Sequence, residues 1–386
     1  MTTVRTVSRL SNRVERWQRG RRVMAAAGAL LLIGTLAAAA RPSAHQTVTP
    51  ISGFLRGISA VSTSDAWAVG SAGGPSNQPL IVHWDGTSWS QVTSPAAPFG
   101  NLYGVSMVSA TDGWAVGTCH CKTGGILILH WNGTSWTRLP AIAPSNGSLR
   151  GVSMVSATDG WAVGLVGSSQ GPSPLALHWN GIRWTQVPVP VPGSVIELDS
   201  VSAASASDAW AVGSAAHKAI MLRWNGSTWT QVPTARSTIT LMGAADASVS
   251  DAWAVGISGT ATGPVTLALH WNGAAWAKTP SPSPGHQVPG SSVSGNELAG
   301  AAIISGSDAW AVGDYTPSSG GQTPLTMHWN GAAWARVPNP IHCGGTCEDF
   351  LTGISMVSVT NGWAVGGNYD NQVIILHWNG TSWTQS

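Results

Sequence analysis

Ser156-Ala157-Thr158-Asp159-Gly160-Trp161-Ala162-Val163-Gly164, followed by Leu175-Ala176-Leu177-His178-Trp179-Asn180-Gly181 and then Trp184, is one copy of a unit that recurs seven times. The first tryptophan of the unit stands at Trp67, Trp114, Trp161, Trp210, Trp253, Trp310 and Trp363, inside Asp-Ala/Gly-Trp-Ala-Val-Gly in six copies and after Asn361-Gly362 in the seventh. A second follows an apolar run, at Trp84, Trp131, Trp179, Trp224, Trp271, Trp329 and Trp378. The third lies five residues later in every copy, at Trp89, Trp136, Trp184, Trp229, Trp276, Trp334 and Trp383. Together with Trp17 these account for all 22 tryptophans, so none remains for a special site.

Within a unit, Leu102 to Val108, Gly113 to Gly117, Ile126 to Trp131 and Ser135 to Leu139 read as four strands, here called A to D. Asn132-Gly133 between C and D predicts a two-residue type I′ hairpin turn with positive φ at both positions. Strands A to C are apolar at nearly every position rather than at alternate ones, as expected where sheets pack face to face and both faces are buried. Four-stranded units of this length, repeated between four and eight times, close into propellers. The expected fold is all-β: a single seven-bladed β-propeller of four-stranded antiparallel blades over residues 51–386. Gln46-Thr47-Val48-Thr49-Pro50 resembles the end of strand D in other copies, so residues 41–50 read as a linker or a strand closing the last blade.

Residues 1–40 hold seven arginines, Arg5 to Arg22, against the single acid Glu15, and then the uncharged run Val23 to Ala40. This is the pattern of an export signal, with cleavage expected after Ala40, or of a signal anchor left in place. Either reading puts the propeller outside the cytoplasm, released or tethered to the outer side of the membrane, with the N-terminal segment as its one membrane contact. Without that segment the chain has 11 basic and 15 acidic residues, a net charge of about −4. With three lysines in the whole chain it lacks the clustered cations that a nucleic-acid partner demands. Charged residues are only 9% of the chain, which describes a packed body with a neutral polar surface.

The block Ser156 to Gly164, with Asn-Gly-Thr-Ser-Trp later in the unit, resembles the repeats of photosystem II assembly-factor propellers and, more loosely, the Asp-box (BNR-like) repeats of sialidase-like proteins. The resemblance spans residues 51–386 and implies a propeller that binds or assembles. Assembly-factor repeats carry Asp-Gly-Gly-x-Thr-Trp where this chain has mostly Asn-Gly-Thr/Ala-Ser/Ala-Trp. The aspartate and histidine positions also resemble the structural tetrads of WD-repeat blades.

Six aspartates stand at the A-to-B turn (Asp65, Asp112, Asp159, Asp208, Asp251, Asp308) and six histidines precede the second tryptophan (His83, His130, His178, His270, His328, His377). A carboxylate that orients an imidazole is a catalytic arrangement, but the same pair in nearly every blade reads as a scaffold hydrogen bond. No catalytic residue, metal or cofactor is assigned. Blade-junction tryptophans offer a rival use as sugar platforms, yet their place inside apolar strands favours core.

Function on a repeat scaffold gathers where the repeat breaks. The intervals from the third tryptophan to the first of the next unit are 25, 25, 26, 24, 34 and 29 residues, so the insertions precede blades six and seven. In an A-to-D meander the D-to-A and B-to-C loops share one face, here called the loop face. Glu297, Asp314, Tyr315, His342, Glu348, Asp349 and Asp370 gather there, flanking blade six, and form the candidate binding rim. The four cysteines fall on the same face, and a Cys343–Cys347 disulfide is expected rather than a Cys119–Cys121 bridge, which closes a tight ring. These features read as an exported, monomeric, non-enzymatic binding or assembly scaffold for an extracellular protein or glycan. The alternatives are a carbohydrate-active enzyme, a glycoside hydrolase or lyase using rim carboxylates, and a multivalent lectin.

Overall fold

The computed structural model describes residues 51–386 apart from 74–76, 122–123, 141–145, 168–170, 191–195, 216–217, 234–238, 261–262, 287–294 and 343–347. The export segment, the closing-strand residues 41–50 and the Cys343–Cys347 pair therefore lie outside the described residues. Over Ser52–Ser386 the chain forms one unit of seven four-stranded antiparallel sheets, each a meander in chain order, with no helix among the described residues. The A strands are Phe54–Ser62, Asn101–Ser109, Gly147–Ser156, Ile196–Ser205, Ile239–Ser248, Asn296–Ser305 and Asp349–Ser358. Each packs beside the A strand of the next blade, and that of blade seven returns to that of blade one. The expected seven-bladed propeller is the fold.

The B strands supply the core. In Asp159–Val166 the segment from Gly160 to Gly164 is buried, with Trp161, Ala162 and Val163 at 0% exposure. D strands are shorter than Ser135 to Leu139 suggests: Trp136–Arg138 is typical, with Leu139 continuing the ladder by donating to the Ile128 carbonyl at 3.0 Å. Blade seven has its own D strand, Trp383–Gln385, so among the described residues its sheet has four strands from one stretch of chain.

The tryptophans lock neighbouring blades together. Trp161 of blade three packs 4.6 Å from Trp224 and 4.9 Å, edge to face at 77°, from Trp229, both in blade four. The same edge-to-face contact with the third tryptophan of the following blade occurs at every junction, including Trp363 on Trp89, where blade seven meets blade one. Offset and edge-to-face geometry suits the ring quadrupoles, and truncating one such buried ring to alanine costs about 3–5 kcal/mol. Every second tryptophan also ties its own blade, because its indole N–H donates to a carbonyl in the A-to-B turn, as Trp179 does to Ala157 at 2.9 Å.

Two further repeated devices pin the blades. Serine hydroxyls of one A strand accept from the A-strand amide of the next blade: Ser59 from Met107, Ser106 from Met154, Ser153 from Ala203, Ser202 from Asp246 and Ser355 from Ala60. Ala245 and Ala302 replace that serine at the junctions leading to blades six and seven. The C-to-D turn departs from the type I′ expectation. The paired residues are Trp131 and Trp136, which leaves a four-residue loop, and only its glycine, Gly133 at φ 88°, is left-handed. Asn132 keeps ordinary φ because its Oδ1 accepts from the amides of Thr134 and Ser135 at 3.0 and 2.9 Å, an Asx turn that builds the bend from the side chain.

Candidate functional site

The repeated His and Asp residues join turn to strand. Asp65–His83, Asp112–His130, Asp159–His178, Asp251–His270 and Asp308–His328 hydrogen-bond at 2.7–3.1 Å. Blade seven uses Asn361–His377 at 2.9 Å, and blade four Arg223 Nε donating to Asp208 at 3.2 Å. Each histidine also lies against the first tryptophan of its own blade, as His178 does on Trp161 at 4.6 Å. Seven variants of one contact on the face opposite the loop face form a frame. A cleft of about 430 Å³ at the junction of blades one and two opens on it, lined by Asp65, His83 and Trp131 among others.

Blade four carries a paired departure. Arg223 also donates to the Val249 carbonyl of blade five at 3.0 Å and lies over Trp210 and Trp271. Asp246 of blade five takes a position filled by Met107 and Met154 elsewhere, and burial, with Asp208 nearby, pushes its carboxyl up to about 8.

Around blade six the rim acids are built into the scaffold. Glu297 and Asp314 are cross-strand partners, both buried, and Asp314 accepts from Gln322 Nε2 at 2.7 Å. Tyr315 accepts from Arg336 at 2.7 Å with the guanidinium 4.7 Å over its ring. Asp349 pairs with Asn368 and donates its amide to the Gln322 carbonyl; burial raises its carboxyl pKa. Glu348 bridges to Gln322 at half burial, whereas His342 and Asp370 are exposed. Four of the seven rim candidates, Glu297, Asp314, Tyr315 and Asp349, are thus buried in the scaffold.

The cysteine expectation is overturned at one end. Cys119 and Cys121 form a disulfide, S–S 2.06 Å, across two positions at the end of the blade-two B strand. There the register shifts between Thr118 and Cys121, and their Cα atoms come within 5.2 Å, inside disulfide range. Arg138 donates to Cys119 Sγ at 3.4 Å.

A different set of residues gathers at the centre of the ring. Every A strand carries a bulge near its start, where one residue is extra relative to its partner B strand. The extra residues are Arg56, Tyr103, Arg150, Asp199, Met242, Ala299 and Thr352, and all line one cavity of about 180 Å³, the axial channel. The bulge drives an A-strand carbonyl onto the B-strand glycine: a Cβ on Gly164 would stand 2.0 Å from Ser148 O, which explains the fixed Val-Gly of the repeat. The glycine after the bulge, such as Gly151, lets adjacent A strands approach, since its Cβ would meet Val201 N at 3.0 Å.

The bulge residues differ from blade to blade, and their chemistry is one-sided. Arg56 and Arg150 lie over Tyr103 at 5.1 and 4.9 Å from the ring centroid. Arg56 also covers Phe54 at 4.8 Å, Phe54 packs on Phe350 at 4.8 Å, and Phe350 on Tyr369 at 5.7 Å. Arg150 reaches Glu197 at 3.8 Å. The result is an unbroken arc of rings and guanidinium groups running from blade seven to blade four. Among the described residues the buried Nε atoms of Arg56 and Arg150 have no hydrogen-bond partner, a state shared by the indole nitrogens of the first and third tryptophan of every blade. Burial, opposed by Tyr103 and reinforced by Arg150, pulls the Arg56 pKa below its ordinary value. Burial raises Asp199 to about 7, with Arg150 opposing and Glu197 adding.

All six phenylalanines and tyrosines of the chain sit at this end of the blades: Phe54, Phe99, Tyr103, Tyr315, Phe350 and Tyr369. Phe99 and Tyr369 are exposed.

The fold is shared with YCF48. YCF48 from Cyanidioschyzon merolae is 16% identical, with TM-score 0.54 over 86% of this chain and 97% of that one. An ulvan lyase of polysaccharide lyase family PL25, in a structure bound to -[GlcA(1-4)Rha3S]-, is 9% identical with TM-score 0.56 over 87% and 96% of the two chains. Both likenesses show the propeller fold. No protein-family model and no curated relative matches the chain.

Arg56, Tyr103, Arg150 and Asp199 escape a reading that searches for changes in repeat length. The signal is there by position: Arg56-Gly57, Tyr103-Gly104, Arg150-Gly151 and Asp199-Ser200 occupy one column of the repeat, where the neighbours are uniform and this residue is not.

Proposed function

We propose that the chain is an exported, non-enzymatic binding scaffold that presents the loop-face mouth of its axial channel to an extracellular protein or glycan. The observation that carries this reading is the arc from Tyr369 to Glu197, in which the Arg56 and Arg150 guanidinium groups lie over Tyr103 beside the channel. Cations stacked on a phenol at the rim of a cavity suit an anionic or polar ligand group. The face is the one the sequence singled out, and the centre lies toward blades one to four. Export rests on the arginine-rich start and the apolar run to Ala40.

A glycan ligand accords with the saccharide held by the ulvan lyase of similar fold. The binding reading is preferred to catalysis because Glu297, Asp314 and Asp349 are engaged within the scaffold. A lectin reading has one observation of its own, the cleft beside Trp131 at the junction of blades one and two. A glycan array, a capture screen with extracellular proteins and a hydrolase and lyase panel test the proposal on wild type and Tyr103→Ser. The expected result is a bound partner lost in Tyr103→Ser, without turnover. Turnover, or a partner indifferent to Tyr103→Ser, contradicts it.

A further inference from the structure

The channel mouth is chemically asymmetric. Cations and a phenol line it on blades one to three, as Arg56, Tyr103 and Arg150, and an acid on blade four, Asp199, with Glu197 beside Arg150 at 3.8 Å. Across the ring, Met242 and Ala299 are apolar, and the Thr352 hydroxyl is already committed to the Leu55 carbonyl at 2.9 Å. A ligand complementary to this ring offers an anion at one edge, hydroxyl groups at the adjoining edge and a C–H surface opposite.

Size narrows the choice further. The cavity is small, about 180 Å³. That accommodates one compact ring or a single functional group, not a folded segment. The guanidinium pair favours a carboxylate, whose two oxygens match the donor fork of arginine. A polyacidic peptide meets the cations but sets further charges against Glu197, which is one-third exposed, and Asp199. A sugar acid avoids that conflict, since its only charge is the carboxylate and its hydroxyls donate to carboxylate oxygens. The exposed rings Tyr369 and Phe99 stand on the same face for flanking sugars.

We propose that the channel mouth binds a uronate residue of an acidic polysaccharide, with its carboxylate on Arg56 and Arg150 and its hydroxyls toward Asp199 and Glu197. The inference rests on the binding reading above and assigns the ligand class of that same mouth. Salt dependence follows, because a charge-assisted contact weakens as ionic strength rises.

The test is calorimetric titration of the full chain with three probes: an oligogalacturonate, a neutral oligosaccharide of the same length, and a tetraglutamate peptide. The acidic sugar is expected to bind, and the neutral sugar at least tenfold more weakly. Arg56→Gln and Arg150→Gln, at unchanged melting temperature, each weaken the acidic sugar tenfold or more, the range for one lost hydrogen bond to a charged group. Should either variant fail to fold, the wild-type salt series decides: affinity for the acidic sugar falls from 50 to 500 mM NaCl, and a flat series overturns the proposal. A neutral sugar or the peptide binding as tightly as the acidic sugar overturns the uronate assignment and leaves the mouth as a binding site. Failure of all three probes also overturns the uronate assignment. If, in addition, no partner from the array or the capture screen responds to Tyr103→Ser, the binding reading falls with it.

Discussion

Trp161 and Trp229 belong to different blades, yet they are expected to behave as one unit. Trp161 is fully buried, with its ring 4.9 Å from Trp229 in blade four at 77°. Trp184, the third tryptophan of Trp161's own blade, packs instead on Trp114 of blade two, at 5.3 Å and 86°. Replacing Trp161 with leucine removes ring contacts to Trp224 and Trp229 and leaves a cavity, a cost of about 2–4 kcal/mol on the scale of buried aromatic truncations. A double-mutant cycle isolates the contact itself. The Trp161→Leu and Trp229→Leu pair is expected to couple by about 0.5–1.5 kcal/mol, the value of an edge-to-face pair. The Trp161→Leu and Trp184→Leu pair is expected to be additive within about 0.5 kcal/mol. Urea unfolding followed by circular dichroism gives both numbers. Coupling within blade three equal to or greater than that across the junction would refute the claim that tryptophans join blades rather than fill them.

Other expectations follow from the same geometry. Asp159→Ala removes the carboxylate that His178 meets at 2.7 Å and is expected to lower stability by about 1–2 kcal/mol, while affinity for any loop-face ligand stays unchanged; normal stability in a melting curve contradicts a structural role. Asp246 holds its proton up to about pH 8 in the folded chain, against an ordinary value of 3.8. The folded state therefore binds more protons between those limits, and the contribution of Asp246 to stability is full below pH 4 and declines as pH rises toward 8. Asp246→Asn should flatten that decline and add about 1–3 kcal/mol at pH 8, read from urea midpoints across the pH range. Replacing Cys119 and Cys121 together with serine is expected to cost no more than about 2 kcal/mol, because the disulfide closes so short a loop; a larger loss of melting stability shows that the bridge orders the blade-two loop.

Seven blades were legible because the tryptophan triplet marks each one, and the apolar B strand around Trp161 reads as doubly buried without further information. The Asp159–His178 contact was legible for the same reason: a pair present in nearly every copy serves the copy. The turn at Asn132-Gly133 was placed correctly and its geometry was not, since a side-chain cap on two amides replaces the left-handed asparagine that type I′ demands. Cys119 and Cys121 looked too close in sequence to pair. A local register shift supplies the approach, and no pattern in the residues announces it. The channel residues were hidden for a topological reason. Arg56, Tyr103, Arg150 and Asp199 are 47 to 49 residues apart in sequence and meet only when the ring closes around its axis. At the insertions before blades six and seven, where the repeat changes length, Glu297, Asp314 and Asp349 are buried and Asp314 meets Gln322, while Asp370 is exposed.

The most direct test of the channel mouth as the ligand site is a crystal structure of the full chain grown with an oligogalacturonate. The account predicts a sugar ring at the loop-face mouth, its carboxylate within hydrogen-bond distance of the Arg56 and Arg150 guanidinium groups. Saccharide density in the cleft beside His83 and Trp131, with the mouth holding none, would contradict it.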